Sequence, residues 1–264
     1  MRLVFLGTGT SHGVPTIDCM IDHYAHCPRG VCHKAQNDPR YRRTRTSLWV
    51  CSDGFSLLID TSQDFRQQVL AQQVRRIDAV LYTHGHADHI YGLPDIRSYC
   101  RLQQGPIDIY GSAETIDILR RGFSYVFNPP PQVGGGIPQV REHMLDGSLL
   151  LGNLRVEPIP VVHGPLQGCY GYRLNDVAYL PDVHEIGAEA MARLQGLDLL
   201  ILNCLRFRRH ATHLSLEESL AYIEALRPRR SLLTHMTHDI DFEQDSALLP
   251  AGVAFAHDGL EVEA

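Results

Sequence analysis

The sequence predicts an α/β fold, and two patterns carry that expectation. Short runs rich in aliphatic, β-branched and aromatic residues end in polar loops, as Ala79-Val80-Leu81-Tyr82 does before Thr83. Segments with helical spacing separate these runs, the arrangement of strands alternating with helices. The chain has 264 residues, 44% of them hydrophobic and 20% charged, which is ordinary for a soluble globular protein. A net charge of -6 argues against a surface that wraps a nucleic-acid polymer, so no stable nucleic-acid partner is expected. No apolar run approaches the ~18 residues of a membrane helix, and Met1 to Gly7 reads as a first strand rather than a leader. We therefore expect a cytoplasmic protein, in which clustered cysteine points to a metal site more than to disulfides.

In chain order, Leu3 to Leu6 is the first strand, followed by Gly7-Thr8-Gly9-Thr10-Ser11-His12-Gly13-Val14-Pro15. Its glycines permit tight turns and close backbone approach, and its spacing matches neither nucleotide fingerprint. Cys19, Cys27 and Cys32, interleaved with His23, His26 and His33, place three thiols in fourteen residues. With a fourth ligand from elsewhere they could make a tetrahedral zinc site, and His23 or His26 could replace one thiolate. Free cysteines in a surface loop are the plain alternative. Asp38 to Arg45 is a basic run, ordinarily a solvated face.

Ser47 to Cys51 and Ser56 to Ile59 flank Asp53-Gly54 as a hairpin. Asp60 follows the second of these strands, and Asp64 to Gln73 has amphipathic spacing. A helix over 90–104, a strand over 107–110 and a helix over 113–121 come next. Three prolines and then three glycines make 128–138 a loop or lid, after which strands resume without a change in composition. One domain, 1–264, is expected. Leu154 to Val162 delivers His163. Cys169 to Leu174 and Val177 to Leu180 pair, with Asp176 in their turn and Asp182 at their end. Leu197 to Asn203 leads into Cys204 to Ser215, and Ser215 with Glu218 caps a helix over 214–226. Ser231 to Thr234 delivers His235, and Val253 to Phe255 and Leu260 to Val262 close the sheet around Asp258-Gly259.

The densest chemistry lies in Thr83-His84-Gly85-His86-Ala87-Asp88-His89, where three histidines and an aspartate fall within six residues. Imidazole nitrogens and a carboxylate are ligands for borderline divalent metals. A loop suits them better than a helix, which would turn His84 and His86 to different faces. A polar loop with chance histidines is the alternative. HGHADH resembles the signature of the metallo-β-lactamase superfamily. That resemblance implies an αββα four-layer sandwich, two mixed β-sheets flanked by helices, with a dinuclear site at one edge. It assigns His84, His86 and His163 to one ion and Asp88, His89 and His235 to the other, with Asp182 bridging and Asp176 as the rival. Asp60 would support the site or its turn rather than bind metal.

GTGTSxGVP at residues 7–15 and the Tyr41-Arg42-Arg43 triplet further resemble the PhnP-like phosphodiesterase branch, whose known member opens a cyclic phosphate in the carbon–phosphorus lyase pathway. The resemblance places the glycine loop beside the active site. It also implies a structural zinc held by a loop at about 16–45 through Cys19, Cys27 and Cys32, with His238 as fourth ligand. Here Cys19 and Cys27 stand further apart than that family's cysteines. His213, before Leu-x-Leu and a helix, would be the general acid or phosphate contact, with His210 as local rival. Arg206 and Arg208 would add charge for the phosphate, and Asp88 with His213 would be the catalytic residues.

The expected activity is hydrolysis of a small, cyclic phosphodiester, such as phosphoribosyl 1,2-cyclic phosphate or a 2′,3′-cyclic nucleotide. The nucleophile would be a hydroxide activated by two divalent ions, manganese first, zinc or iron otherwise. A homodimer is expected from the resemblance. The competing readings are a tRNA 3′-end endonuclease, a thiolester or β-lactam hydrolase, and a non-catalytic metal-binding protein of cofactor biosynthesis. The first would need a basic tRNA-binding surface, the second would not need His213, and the third would show a missing metal ligand.

Overall fold

The computed structural model describes residues 1–131 and 136–264. In the first sheet, β1 (Arg2–Gly7), β2 (Ser47–Ser52) and β3 (Phe55–Ile59) form an antiparallel meander. It continues in parallel through β4 (Ala79–Leu81), β5 (Ile107–Gly111) and β6 (Val140–Met144). The second sheet repeats that plan. Here β7 (Leu149–Leu151), β8 (Leu154–Pro160), β9 (Tyr170–Leu174) and β10 (Val177–Leu180) are antiparallel. From β10 the sheet runs parallel through β11 (Leu199–Asn203), β12 (Arg230–Thr234) and β13 (Val253–Phe255). The last strand, β14 (Glu261–Glu263), crosses back to pair with β1, so each mixed sheet has seven strands.

Strands buried on both faces read as continuous apolar runs, and alternate residues here serve different layers. Leu57, Ile59, Ala79 and Leu81 of the first sheet meet Val177, Tyr179, Leu199 and Ile201 of the second. Their neighbours Leu58 and Val80 point outward against Phe65, Val69 and Ile116. On the far side, Leu200, Leu202 and Leu233 pack under Ala190, Leu216 and Ile223. The result is helix, sheet, sheet, helix, the αββα sandwich expected from the sequence. The parallel strands of both sheets place their carboxyl ends along one edge, where open α/β sheets bind ligands. No helix among the described residues is long and apolar enough to cross a membrane.

Local chemistry explains where the elements stop. Asp53 and Gly54 both take positive φ, 47° and 82°, which a two-residue type I′ hairpin requires. Ser215 caps the helix Leu216–Leu226 through a full capping box with Glu218, so that helix begins two residues later than expected. The single helix expected over 90–104 is broken into Ala87–Ile90, a 3₁₀ turn Leu93–Ile96, and Arg97–Gln103. Gly92 lies at the break because a Cβ there would come within 2.3 Å of the Ser62 carbonyl, and Pro94 cannot donate to a continuing helix. The expected cysteine loop contains helices Ile17–Ile21 and Val31–Asn37 over a small core of its own. Of the proline–glycine loop, 132–135 lie outside the described residues.

The basic run is the clearest departure from expectation. Arg40 does face solvent, but Arg43 is 3% exposed. Its guanidinium donates to the carbonyls of Thr237 at 2.6 Å and Ile240 at 2.8 Å. A buried charge is tolerated when backbone acceptors satisfy its donors, and here it clamps the segment that follows His235. Arg45 instead pairs with Asp64 at 3.1 Å. Since a hydrogen bond to a charged group contributes about 1.5–3 kcal/mol, Arg43→Met is expected to destabilise the fold by ~2–5 kcal/mol. Urea unfolding at neutral pH checks this, and a change under 1 kcal/mol would contradict the clamp.

Candidate metal centre

The site begins at the end of β3. Asp60 accepts hydrogen bonds from the Thr83 amide and hydroxyl, both at 2.8 Å, and lies 2.7 Å from His89 Nδ1. The loop after β4, which carries His84, His86, Asp88 and His89, is thereby fixed. Thr83 Oγ1 also lies 3.0 Å from His84 Nδ1, and Thr212 O accepts from His163 Nδ1 at 2.8 Å. Occupying one ring nitrogen in this way orients the other inward.

The inward atoms converge in two groups. His86 Nδ1 lies 3.0 Å from His84 Nε2 and 3.2 Å from His163 Nε2. Beside them, His89 Nε2 is 3.5 Å from Asp88 Oδ2 and 3.4 Å from Asp182 Oδ1, while His235 Nδ1 is 3.1 Å from Asp182 Oδ1. Asp182 Oδ2 faces the first group, 3.8 Å from His84 Nε2 and 3.7 Å from His163 Nε2. Asp182 therefore stands between the two, one oxygen toward each. Asp176, the alternative, is exposed in the turn and pairs with Arg173 at 3.2 Å.

These separations suit cations. Four N or O ligands at about 2.0–2.1 Å in a tetrahedron are about 3.3 Å apart. His89 Nε2 and Asp182 Oδ1 are buried without any hydrogen-bond partner. A buried polar atom left so would be destabilising, and a shared cation satisfies both at once. The electrostatics describe an acidic pocket that favours positive charge. Burial works against the charged form of His89, but Asp182, Asp88 and Asp60 together hold its ring well above the usual histidine range. Burial similarly opposes ionisation of Asp182, yet His235, His89 and His213 keep its carboxyl well below the usual range. Burial first, then the neighbouring His89, holds His84 neutral, the form that binds metal.

The structure also brings Cys19, Cys27, Cys32 and His238 together. His238 Nδ1 is 3.3 Å from Cys19 Sγ, 4.0 Å from Cys27 Sγ and 3.2 Å from Cys32 Sγ. Burial pushes the Cys32 thiol up to about 12, so thiolates there require a cation. His26 is exposed and bonded to Asp22 at 2.7 Å, and the cluster includes neither it nor His23. The residues separating Cys19 from Cys27 fold back through His23 and Tyr24 at positive φ, which lets both thiols reach one point.

His213 lies over the His/Asp centre. It is 9% exposed, and its Nδ1 is unpartnered and 3.8 Å from Asp182 Oδ2. Its ring centroid is 4.7 Å from that of His163 and 4.9 Å from that of His235. Burial first, then His235, His163 and His210, push it down to about 3 against the pull of Asp182, so its ring is neutral in the free site. His210 is half-buried, its ring 5.4 Å from that of His213. Arg206 sits near His210, and Arg208 is exposed.

Several supporting residues carried no readable signal. Thr46 Oγ1 lies 3.1 Å from His235 Nδ1 and donates to Gly9 O at 2.7 Å. Through this contact, and through backbone bonds from Met236 N to Thr8 O and Thr10 N to Met236 O, the glycine loop braces the end of β12. Gly7 must be glycine, because a Cβ would lie 2.1 Å from Arg45 O.

Comparison with known proteins adds four findings. A family model described as the β-lactamase superfamily domain matches residues 56–236. A solved structure of a new diphosphatase from the PhnP family is 39% identical, with a TM-score of 0.88 over 100% of this chain and 97% of that one. Zn²⁺-bound PqqB from Methylobacterium extorquens, 21% identical with a TM-score of 0.78 over 100% of both chains, shows the shared fold. Among curated relatives, an octanoyltransferase of Porphyromonas gingivalis is 36% identical over 99% of this chain. The chain spans only 51% of that relative's length.

Proposed function

The chain belongs to the β-lactamase superfamily, and on that premise we propose that it is a metal-dependent phosphodiesterase for small, cyclic phosphodiesters. The observation that carries this reading is His213: a buried, unpartnered imidazole facing the same space as two convergent ligand groups. Its likeness to a PhnP-family diphosphatase supports phosphorus-ester chemistry. His84, His86 and His163 would hold one cation, Asp88, His89 and His235 the other, with Asp182 shared. Bound there, the pair would polarise the phosphoryl group and lower the pKa of water. The imidazole and carboxylate donors suit Mn²⁺ in this pair, with Zn²⁺ or iron also accommodated, while three thiols and His238 suit Zn²⁺.

The chain's own groups divide the remaining work. Asp60, Thr83 and Thr212 hold ligand rings in place. Burial raises the Asp88 carboxyl's pKa, but His89 outweighs it and keeps Asp88 ionised, so that it would accept a hydrogen bond from the attacking water and orient it. His213 donates to the departing oxygen, and a nearby anionic oxygen raises the basicity of its ring for that proton transfer. General acid catalysis of this kind contributes ~10²–10⁴-fold.

The test is turnover of bis(p-nitrophenyl) phosphate, adenosine 2′,3′-cyclic phosphate and a diphosphate diester by Mn²⁺-loaded protein. His213→Ala is expected to lower kcat about 10²–10⁴-fold with metal content unchanged. No turnover despite two bound ions overturns the reading. A second reading, thiolester hydrolysis, is favoured by the match to half of an octanoyltransferase. Octanoyl-thiolester cleavage insensitive to His213→Ala would select it.

A further inference from the structure

We infer that the groove between the helices Phe65–Ala71 and Arg97–Gln103, on the outer face of the first sheet, docks an acidic amphipathic helix of a partner protein. This surface is separate from the His/Asp centre and does not depend on the reaction assigned there.

The groove is preformed. Phe65 and Val69 of the first helix and Cys100 of the second are anchored in the core above the first sheet. Tyr99 donates through its hydroxyl to Val74 O at 2.7 Å. Gln103 exchanges two hydrogen bonds with the backbone of Ile77, at 2.8 and 3.0 Å. The second helix is thereby tied to the segment that leaves the first, so a partner meets walls already in place. The space between them is about 560 Å³, over Phe65, Val69 and Tyr99. Leu70 from one helix is 62% exposed and Leu102 from the other is 76% exposed, and both line this groove. A single exposed leucine is ordinary, whereas two on opposite walls of one apolar groove make a patch suited to a partner.

Charge identifies the chemistry of that partner. Arg66, Arg75 and Arg97 line the groove, against one acid, Asp95. The chain as a whole carries 30 acidic residues against 24 Lys and Arg, so this face inverts its balance. Neighbouring Arg76 is matched by Asp78 at 2.6 Å. The three groove arginines have no ion-pair partner among the described residues, and Arg101 adds a fourth exposed cation one turn beyond Arg97. Apolar side chains at the centre and carboxylates at the rim would complement this surface, and an acidic amphipathic helix presents both. Each wall is a seven-residue helix, ~10 Å long at 1.5 Å per residue, which seats about two turns of a partner helix. A contact of that size suits transient binding. A second copy docked about a two-fold axis would instead set arginines against arginines. Nucleic acid would meet the arginines and leave the leucines uncovered.

The experiment places the photo-crosslinker p-benzoylphenylalanine at Leu70 or at Leu102 of the full chain, expressed in its native host. Leu248, exposed on the 3₁₀ turn Ser246–Leu248 outside the groove, is the control position. Irradiation should link the first two positions, and not the third, to one protein segment. That segment should carry apolar residues at helical spacing and an excess of aspartate and glutamate. A synthetic copy of it is then titrated against the purified chain by fluorescence anisotropy. Leu70→Glu and Leu102→Glu should each weaken binding about tenfold or more. Arg97→Glu should weaken it too and flatten its dependence on salt. Circular dichroism checks that these exposed-site variants keep the fold. Linkage to a second copy, to nucleic acid or to a basic segment overturns the inference. So does a crosslinking pattern at Leu70 and Leu102 no different from that at Leu248, or an affinity that both leucine variants leave unchanged.

Discussion

Asp182→Asn is expected to lower kcat/KM on bis(p-nitrophenyl) phosphate by about 10³-fold or more and to leave the His/Asp centre with at most one tightly bound ion. Asp182 reaches both ligand groups, 3.1 Å from His235 Nδ1 on one side and 3.7 Å from His163 Nε2 on the other. An amide retains one acceptor oxygen, loses the charge, and turns an NH₂ toward one of the groups. Without the carboxylate, the neighbouring imidazoles also lose their main counter-charge. His89 would keep only Asp60 and Asp88 to favour its charged form against burial. The fold should survive, because β10 ends at Leu180 and neither Asp182 oxygen takes part in its ladder. Elemental analysis with circular dichroism separates the two effects. Two ions per centre with unchanged turnover would remove Asp182 from its bridging place.

The candidate site was legible where its residues are local and obscure where they are assembled. His84, His86, Asp88 and His89 announce themselves because four donors follow one apolar strand. His163, Asp182 and His235 are single residues at the ends of β8, β10 and β12. Each reads alone as an ordinary strand end, and only the family resemblance singled them out. Choosing Asp182 over Asp176, or His213 over His210, is a matter of burial and direction, which spacing does not encode. The supports are harder still. Thr46 and Thr212 act through one hydroxyl and one carbonyl, and any residue supplies a carbonyl. Arg43 looked solvated because its partners are backbone carbonyls almost two hundred residues away in sequence. The helices Ile17–Ile21 and Val31–Asn37 span five and seven residues, too short for a helical period to declare itself. The break at Gly92 did have a signal, the nearby Pro94, which apolar spacing on both sides masked.

The topology explains why Asp60 and Asp182 resemble one another. Both sheets consist of an antiparallel meander that turns parallel, at β3 in the first and at β10 in the second. Asp60 follows β3 as Asp182 follows β10, so the two carboxylates occupy corresponding ends of a repeated plan. Asp60 is turned onto Thr83 and His89 and is fully satisfied there, whereas Asp182 keeps an unpartnered oxygen. Satisfaction, rather than position, separates the structural carboxylate from the one available to a cation.

Cys32→Ser is expected to remove one zinc equivalent and to lower Tm by about 10 °C or more, on the scale of ~2–4 °C per kcal/mol for a domain of this size. Cys32 is fully buried, 3.2 Å from His238 Nδ1, and its Sγ accepts from the Thr16 amide at 3.4 Å. Metal binding must displace the proton that burial favours on this thiol, so the binding free energy of the folded cluster is folding free energy for the segment around it. That segment has little else: its core is Val14, Val31, Ala35 and Tyr41 beside the cysteines. The effect should not stay local. His238 follows His235 by three residues, and Arg43 fixes the carbonyls of Thr237 and Ile240 on either side of it. Weaker Mn²⁺ binding at the His/Asp centre, by about 10–100-fold, is therefore expected in the same variant. Cys51→Ser, a thiol on β2 outside the cluster, should leave zinc content and Mn²⁺ affinity unchanged. If Cys32→Ser keeps both its zinc and its Tm, the four residues are not a metal site, and the apolar core alone holds the loop against the end of β12.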